Sequence, residues 1–94
     1  MKNEINDFKR VLGEVLELKI KKSHDYGRSW EIFGLNGIYY QIGSKFVRLW
    51  NLRGKDPKNE PLRDTLRDMI VYLIMGIQLI DSNKTEDSID KLLK

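Results

Sequence analysis

Three carboxylates are spaced four residues apart in the second half of the chain, at Glu60, Asp64 and Asp68. On an α-helix this spacing stacks them along one face, with a drift of about 40° per step. Their mutual repulsion can be relieved by solvent, by the neighbouring Arg63 and Arg67, or by a divalent cation such as magnesium. The three residues are therefore candidate magnesium ligands. The alternative is a solvated helix face whose acids complement the positive end of the helix dipole.

Basic and aromatic residues form two further groups with the chemistry to bind a nucleotide. Lys45 and Arg48 lie three residues apart and outside the apolar stripe of their own segment, so both could reach one anion. The segment 23–30 carries side chains that stack on a base or bond a phosphate: Asp25, Tyr26, Arg28 and Trp30. The alternatives are a surface pair of cations and aromatic side chains that plug the edge of a core.

Several other kinds of chemistry are disfavoured by what the sequence lacks. Without cysteine there is no disulfide, no thiolate nucleophile and no cysteine zinc site. The single histidine, His24, has no nucleophile arrangement or metal-ligand spacing that would make it a general base. No glycine-rich phosphate loop or dinucleotide fingerprint is present. A net charge of +3 fits a small phosphorylated ligand better than a nucleic-acid duplex, so nucleic acid is not an expected partner.

The spacing of apolar residues predicts the elements that position these groups. Apolar residues recur every three or four positions in segments 3–23, 38–53 and 60–80, which predicts three main α-helices. We expect the first helix to end at Gly27, residues 28–34 to form one helical turn or a loop, and Asn36-Gly37 to form a turn. Residues 88–94 suggest a short C-terminal helix. Glu14 and Glu17 point away from the apolar face of the first helix and are expected to be solvated.

The predicted third helix is apolar around most of its circumference. One stripe is extended by apolar residues on its flanks; the stripe consists of Leu62, Leu66, Met69, Leu73, Ile77 and Ile80. Three helices in 94 residues leave such a segment partly uncovered, which predicts a homo-oligomer of a single all-α domain spanning residues 1–94. The longest nearly apolar run, residues 69–80, is too short to cross a bilayer. We therefore expect no membrane partner and a cytoplasmic protein, located in the host cytoplasm if it is phage-encoded.

Several of these motifs together resemble a small phage and bacterial family, nucleotide modification associated domain 1, over roughly residues 8–77. The shared elements are the segment 22–30 with its Asp-Tyr-Gly, Gly34-Leu35, Lys45 with Arg48, Glu60, the Asp-Thr-Leu-x-Asp of residues 64–68, and Tyr72. The resemblance implies a relationship to the MazG-like all-α nucleoside triphosphate pyrophosphohydrolases. In those oligomeric proteins, acidic residues on neighbouring helices hold magnesium around a triphosphate.

The sequence departs from the family pattern at its acidic positions. Ser44 stands where the family usually has an acid before the lysine, and the MazG-type acidic pairs are incomplete. Two functions therefore stay open. One is a nucleotide-binding protein that hydrolyses a nucleoside triphosphate to monophosphate and pyrophosphate with magnesium. The other is a non-catalytic phage sponge that sequesters a signalling nucleotide from host defence. In either, Lys45, Arg48 and Arg28 would contact phosphates, and Tyr26 and Trp30 would stack on the base.

Overall fold

The computed structural model describes residues 2–26, 29–55 and 60–89. This part of the chain forms three α-helices and one short 3₁₀ helix, and contains no strand. In chain order, helix α1 spans Lys2–Tyr26, the 3₁₀ helix spans Ser29–Phe33, α2 spans Gly34–Leu52 and α3 spans Glu60–Asp81. The all-α fold with three main helices is confirmed.

Of the predicted features around α2 and α3, one helix start is confirmed and one turn is wrong. Helix α3 begins at Glu60, as predicted, whereas the predicted turn at Asn36-Gly37 is wrong, because both residues lie in the first turn of α2. A Cβ added at Gly37 would lie 2.7 Å from the Cβ of Phe33. Glycine is therefore suited to this position by the close approach of Phe33. For residues 28–34 the sequence left a helical turn or a loop open, and the structure has a 3₁₀ helix that begins at Ser29. Arg28 lies outside the described residues.

The core draws on all three helices and is small. Among the described residues, five apolar side chains are buried, and partly buried neighbours such as Val11 and Ile42 pack against them; the five are Val15, Ile38, Val71, Met75 and Leu79. Helix α3 packs mainly against α2 and, over a shorter length, against α1. A Cβ at Gly76 would lie 3.4 Å from Cγ2 of Ile38, so this glycine permits the close packing of α3 on α2. Helix α3 is thus the element against which side chains from both other helices are positioned.

The face of α3 that is buried differs from the stripe that dominates its sequence. Thr65, Val71, Met75, Gly76 and Leu79 are buried. Much of the predicted stripe is 46–58% exposed, namely Leu66, Leu73, Ile77 and Ile80. Helices α1 and α2 cover the core-facing side of α3 and leave this second apolar side in contact with solvent. The sequence predicted that α3 needs to be covered on more than one side. Within one chain, only the core-facing side is covered.

Helix α3 ends in a Schellman motif centred on Asn83. This residue adopts a left-handed φ of 56°. The amide of Asn83 donates to the carbonyl of Ile80 at 3.2 Å, and the amide of Lys84 donates to the carbonyl of Leu79 at 2.9 Å. Asparagine tolerates this conformation better than most residues, and the two bonds satisfy carbonyls that the helix end leaves open.

Residues 82–89 then pass over the 3₁₀ helix and the start of α2, and backbone hydrogen bonds join them to both. The amide of Leu35 donates to the carbonyl of Thr85 at 2.9 Å, and the amide of Ser88 donates to the carbonyl of Ile32 at 2.7 Å. Gly34 has a φ of +59°, and a Cβ there would lie 2.5 Å from the Thr85 carbonyl oxygen. The predicted C-terminal helix over residues 88–94 is not supported as a fourth element, and residues 90–94 lie outside the described part of the chain.

Candidate functional site

Asp68 lies where side chains from all three helices meet. The Nζ atom of Lys22, from α1, is 3.2 Å from Oδ1 of Asp68, and the Nζ atom of Lys45, from α2, is 3.4 Å from Oδ2. The three side chains are 23–24% exposed. Charges shielded to this extent interact more strongly than fully exposed pairs and can still be reached by a solute.

The helical periodicity explains how the two lysines reach the same carboxylate. Lys22 lies one turn after Leu18, and Lys45 lies one turn after Ile42. Leu18 and Ile42 both pack against the core. Each lysine therefore projects from the edge of a core-facing stripe toward α3, where Asp68 occupies the middle of the helix.

Tyr72 adds an aromatic surface beside the two lysines. It lies one turn after Asp68 on α3, and the Nζ atom of Lys22 is 5.2 Å from the centroid of its ring. An ammonium at this distance is attracted by the ring face. Lys22 is thus held both by a carboxylate and by an aromatic ring, which orients its side chain at the junction of α1 and α3.

Arg48 is anchored on α3 one turn before Asp68. Its Nε donates to Oγ1 of Thr65 at 3.1 Å, and the Thr65 hydroxyl donates in turn to the carbonyl of Pro61 at 2.7 Å. Thr65 is buried, with 2% of its surface exposed. The structure therefore brings the predicted pair Lys45 and Arg48 together on the side of α2 that faces α3.

The three carboxylates of the predicted magnesium ladder have different surroundings. Glu60 is exposed in the first turn of α3, Asp64 forms an ion pair with Arg67, and Asp68 pairs with the two lysines. Within the described residues, no group of three or more histidine, aspartate and glutamate side chains could hold a metal ion. Basic side chains neutralise Asp64 and Asp68 here, and the assignment of the three as magnesium ligands stays a prediction.

Glu14 is not the solvated residue that its sequence position suggested. Its carboxylate accepts a hydrogen bond from Arg63 at 2.9 Å, and the guanidinium groups of Arg10 and Arg67 lie 3.6 and 3.7 Å away. The side chain is 29% exposed. The prediction was wrong because the partners on α3 are distant in sequence, and α1 turns its Glu14 side toward them.

The contacts between Glu14 and the arginines shift the pKa values of Glu14 and Arg63. The hydrogen bond from Arg63 holds the pKa of the Glu14 carboxyl below its usual range, against a smaller opposing effect of desolvation. The same hydrogen bond raises the pKa of Arg63. The Nε atom of Arg67 is buried and has no hydrogen-bond partner among the described residues. Glu14 thus ties α1 to the start of α3 in its ionised form.

The side chains of four predicted nucleotide-binding residues lie outside the described part of the structure. Arg28 lies outside the described residues. Asp25 and Tyr26 fall in the last turn of α1, and Trp30 falls in the 3₁₀ helix, but only their backbone is described. Their roles stay predictions. His24 lies in the last turn of α1 and is exposed.

Sequence reasoning missed three contributors to the cluster: Lys22, Thr65 and Tyr72. All three belong to the motif segments on which the family resemblance rests, so the signal was present but was not connected to a site. Lys22 and Lys45 contact the carboxylate of Asp68, and Arg48 lies on Thr65 about one turn away, so positive charge exceeds negative charge in the cluster. Such an arrangement is suited to an anionic group, above all a phosphate.

The fold and this cluster define an all-α protein with a cationic site at the junction of its three helices. More specifically, the chain belongs to the nucleotide modification associated domain 1 family, whose profile matches residues 22–80. The matched region contains every member of the cluster around Asp68. Comparison with curated proteins and with solved structures gave no match. In the part of the chain that the structure describes, no helix has the length and apolar character needed to cross a membrane.

Proposed function

We propose that this chain binds a nucleotide through its phosphate groups at the cluster around Asp68. The observation that carries the proposal is the convergence of Lys22 and Lys45, from separate helices, on one carboxylate at 3.2 and 3.4 Å. The family description concerns nucleotide modification, and a nucleotide supplies the anion that two convergent ammonium groups favour.

In this proposal, phosphate oxygens displace the Asp68 carboxylate as the ion-pair partner of Lys22 and Lys45. A triphosphate carries several negative charges and therefore competes well with a single carboxylate for two lysines. Arg48, one turn from Lys45 on α2, supplies further positive charge. Tyr26 and Trp30 would stack on the base, with Arg28 and Asp25 contributing polar contacts, as the family resemblance implies.

We favour binding without cleavage, that is, a phage sponge that sequesters a signalling nucleotide from host defence. Support comes from the acidic residues: Asp64 and Asp68 are already paired with cations, and Ser44 removes one carboxylate from the family's acidic set. A hydrolase needs cations that neutralise the triphosphate and position water, and a depleted acidic site weakens their binding. A nucleotide ligand also implies a cytoplasmic location.

The second candidate is magnesium-dependent hydrolysis of a nucleoside triphosphate to monophosphate and pyrophosphate, as in the MazG-like enzymes. It is favoured by Glu60, Asp64 and Asp68 at successive turns of α3, since carboxylate oxygens suit magnesium. The ion pairs of Asp64 and Asp68 do not fit such a site, because both carboxylates would first have to exchange their partners. In either candidate, residues 1–94 would act as one nucleotide-handling domain within a homo-oligomer.

The two candidates are separated by analysing the ligand after contact with the protein. The protein is incubated with a panel of linear and cyclic nucleotides in magnesium, and the supernatant is chromatographed before and after heat denaturation. Sequestration predicts an intact nucleotide that is released only on heating. Hydrolysis predicts monophosphate and pyrophosphate without heating. A panel in which no nucleotide is either retained or cleaved would refute both candidates.

A further inference from the structure

The outer sides of α1 and α3 carry large apolar side chains that no element of the described chain covers. On α1 these residues recur at helical spacing, and on α3 they occupy the side opposite the core. The α1 set is Ile5, Phe8, Leu12, Leu16 and Ile20. The α3 set is Leu66, Leu73, Ile74, Ile77 and Ile80. We call these ten residues the α1/α3 face.

A groove joins the two halves of the α1/α3 face. It has a volume of about 280 Å³. Leu12 and Leu16 of α1 and Ile74 of α3 line it, and the core residues Val15 and Met75 form part of its wall. Because the groove connects exposed apolar residues directly to the core, a side chain inserted there would extend the core beyond the single chain.

The total surface of the chain also exceeds what a self-contained protein of this size exposes. The accessible area is 7599 Å² for a mass of 11.1 kDa, whereas monomeric proteins of that mass expose about 5,700 Å². The surplus of about 1,900 Å² belongs to the chain as a whole and is comparable with the area that one partner buries in a large, obligate interface.

The small core indicates which partner covers the face. Among the described residues only five apolar side chains are buried, while ten large apolar side chains of the α1/α3 face are exposed, so burial of this face would add substantially to the core. A partner needed for stability must be present whenever the chain is made, and another copy of the same chain satisfies this condition. Permanent homodimer interfaces are also the most apolar class.

We infer that two copies of this chain pack through the α1/α3 face, related by a two-fold axis, so that each copy covers the groove of the other. In such an isologous interface the same residues contribute from both sides. The cluster around Asp68 is not part of the face, so the inference does not depend on nucleotide binding.

Sedimentation equilibrium tests the association directly. The wild-type chain should have the mass of at least two copies, and Leu16→Glu should shift it toward one, because each copy would have to bury an unpaired carboxylate in the apolar interface. Val47→Glu is the matched control, since Val47 is as exposed as Leu16 (57% against 60%) but lies on α2. A helical wild-type monomer, or equal dissociation by both variants, would overturn the inference.

A second measurement decides the question if Leu16→Glu fails to fold. The chain has no cysteine, so single cysteines can be introduced at Leu12, Leu16 and Ile74, with Val47→Cys as the control. Under mild oxidation, at least one cysteine of the α1/α3 face should form a disulfide-linked dimer much faster than Val47→Cys. Cross-linking that is no faster for any of the three than for the control would contradict the proposed interface.

Discussion

The Nζ atom of Lys45 lies 3.4 Å from Oδ2 of Asp68, and Lys22 approaches the other oxygen of the same carboxylate at 3.2 Å. One carboxylate thus serves as the counter-ion of two ammonium groups that belong to different helices. The local charge is positive, and the two lysines already point toward a common position. An entering phosphate would find its cationic partners oriented in advance, which lowers the entropic cost of binding.

Replacing Lys45 by glutamine should weaken nucleotide binding by roughly tenfold or more, because one charge-assisted contact to phosphate is lost. Isothermal titration calorimetry with ATP and inorganic triphosphate measures this change. Lys55→Gln is the control, since Lys55 is an exposed lysine in the turn after α2 and should leave the affinity unchanged. An equal effect of both substitutions would indicate general electrostatic attraction instead of a site.

Substitution of Gly34 by alanine should destabilise the protein by more than about 1 kcal/mol, because a Cβ would meet the Thr85 carbonyl and the left-handed backbone disfavours alanine. Gly43→Ala provides a control of opposite sign. Gly43 lies within α2 with no atom within 4 Å of an added Cβ, so alanine should be neutral or stabilise by about 0.5–1 kcal/mol. Urea unfolding of both variants measures the difference, and equal stabilities would refute the contact between residues 82–89 and α2.

Acid should weaken the link between α1 and α3 through Glu14. The pKa of this carboxyl is lower in the folded protein than its ordinary value of 4.5, so the stabilisation is fully present above that value. It is lost as the pH falls through the folded-state pKa. Denaturant unfolding at about pH 7 and about pH 3 should therefore show a smaller loss of stability for Glu14→Gln than for the wild type. Glu17→Gln, at an exposed position on the same helix, is the control variant.

The sequence was sufficient to predict the elements whose signals are local. Apolar periodicity predicted three helices, and the same spacing placed the start of α3 at Glu60. The Asn36-Gly37 turn was mispredicted because the sequence does not distinguish a glycine that forms a turn from a glycine that makes room for a neighbouring side chain. The Schellman end at Asn83 had a signal in its residue type, but the bonds that define it appear only in three dimensions.

The candidate site was predictable residue by residue but not as an arrangement. Lys45, Arg48 and Asp68 were candidates by type and spacing, yet their pairing depends on how α2 packs against α3. The three acids of the ladder look equivalent in sequence, whereas Arg67 and the lysines give each a different environment. Glu14 and Arg63 are 49 residues apart in the sequence, and helical periodicity does not predict contacts between residues so far apart.

The role of Asp68 tests the central claim most directly. The measurement is the affinity of Asp68→Asn for inorganic triphosphate and ATP in buffer containing EDTA, with Asp64→Asn as the control on the neighbouring turn. If Asp68 is the counter-ion that phosphate displaces, removing its charge should raise the metal-free affinity by about tenfold, and Asp64→Asn should have little effect. Loss of binding in Asp68→Asn, or binding that requires magnesium in the wild type, would contradict the account.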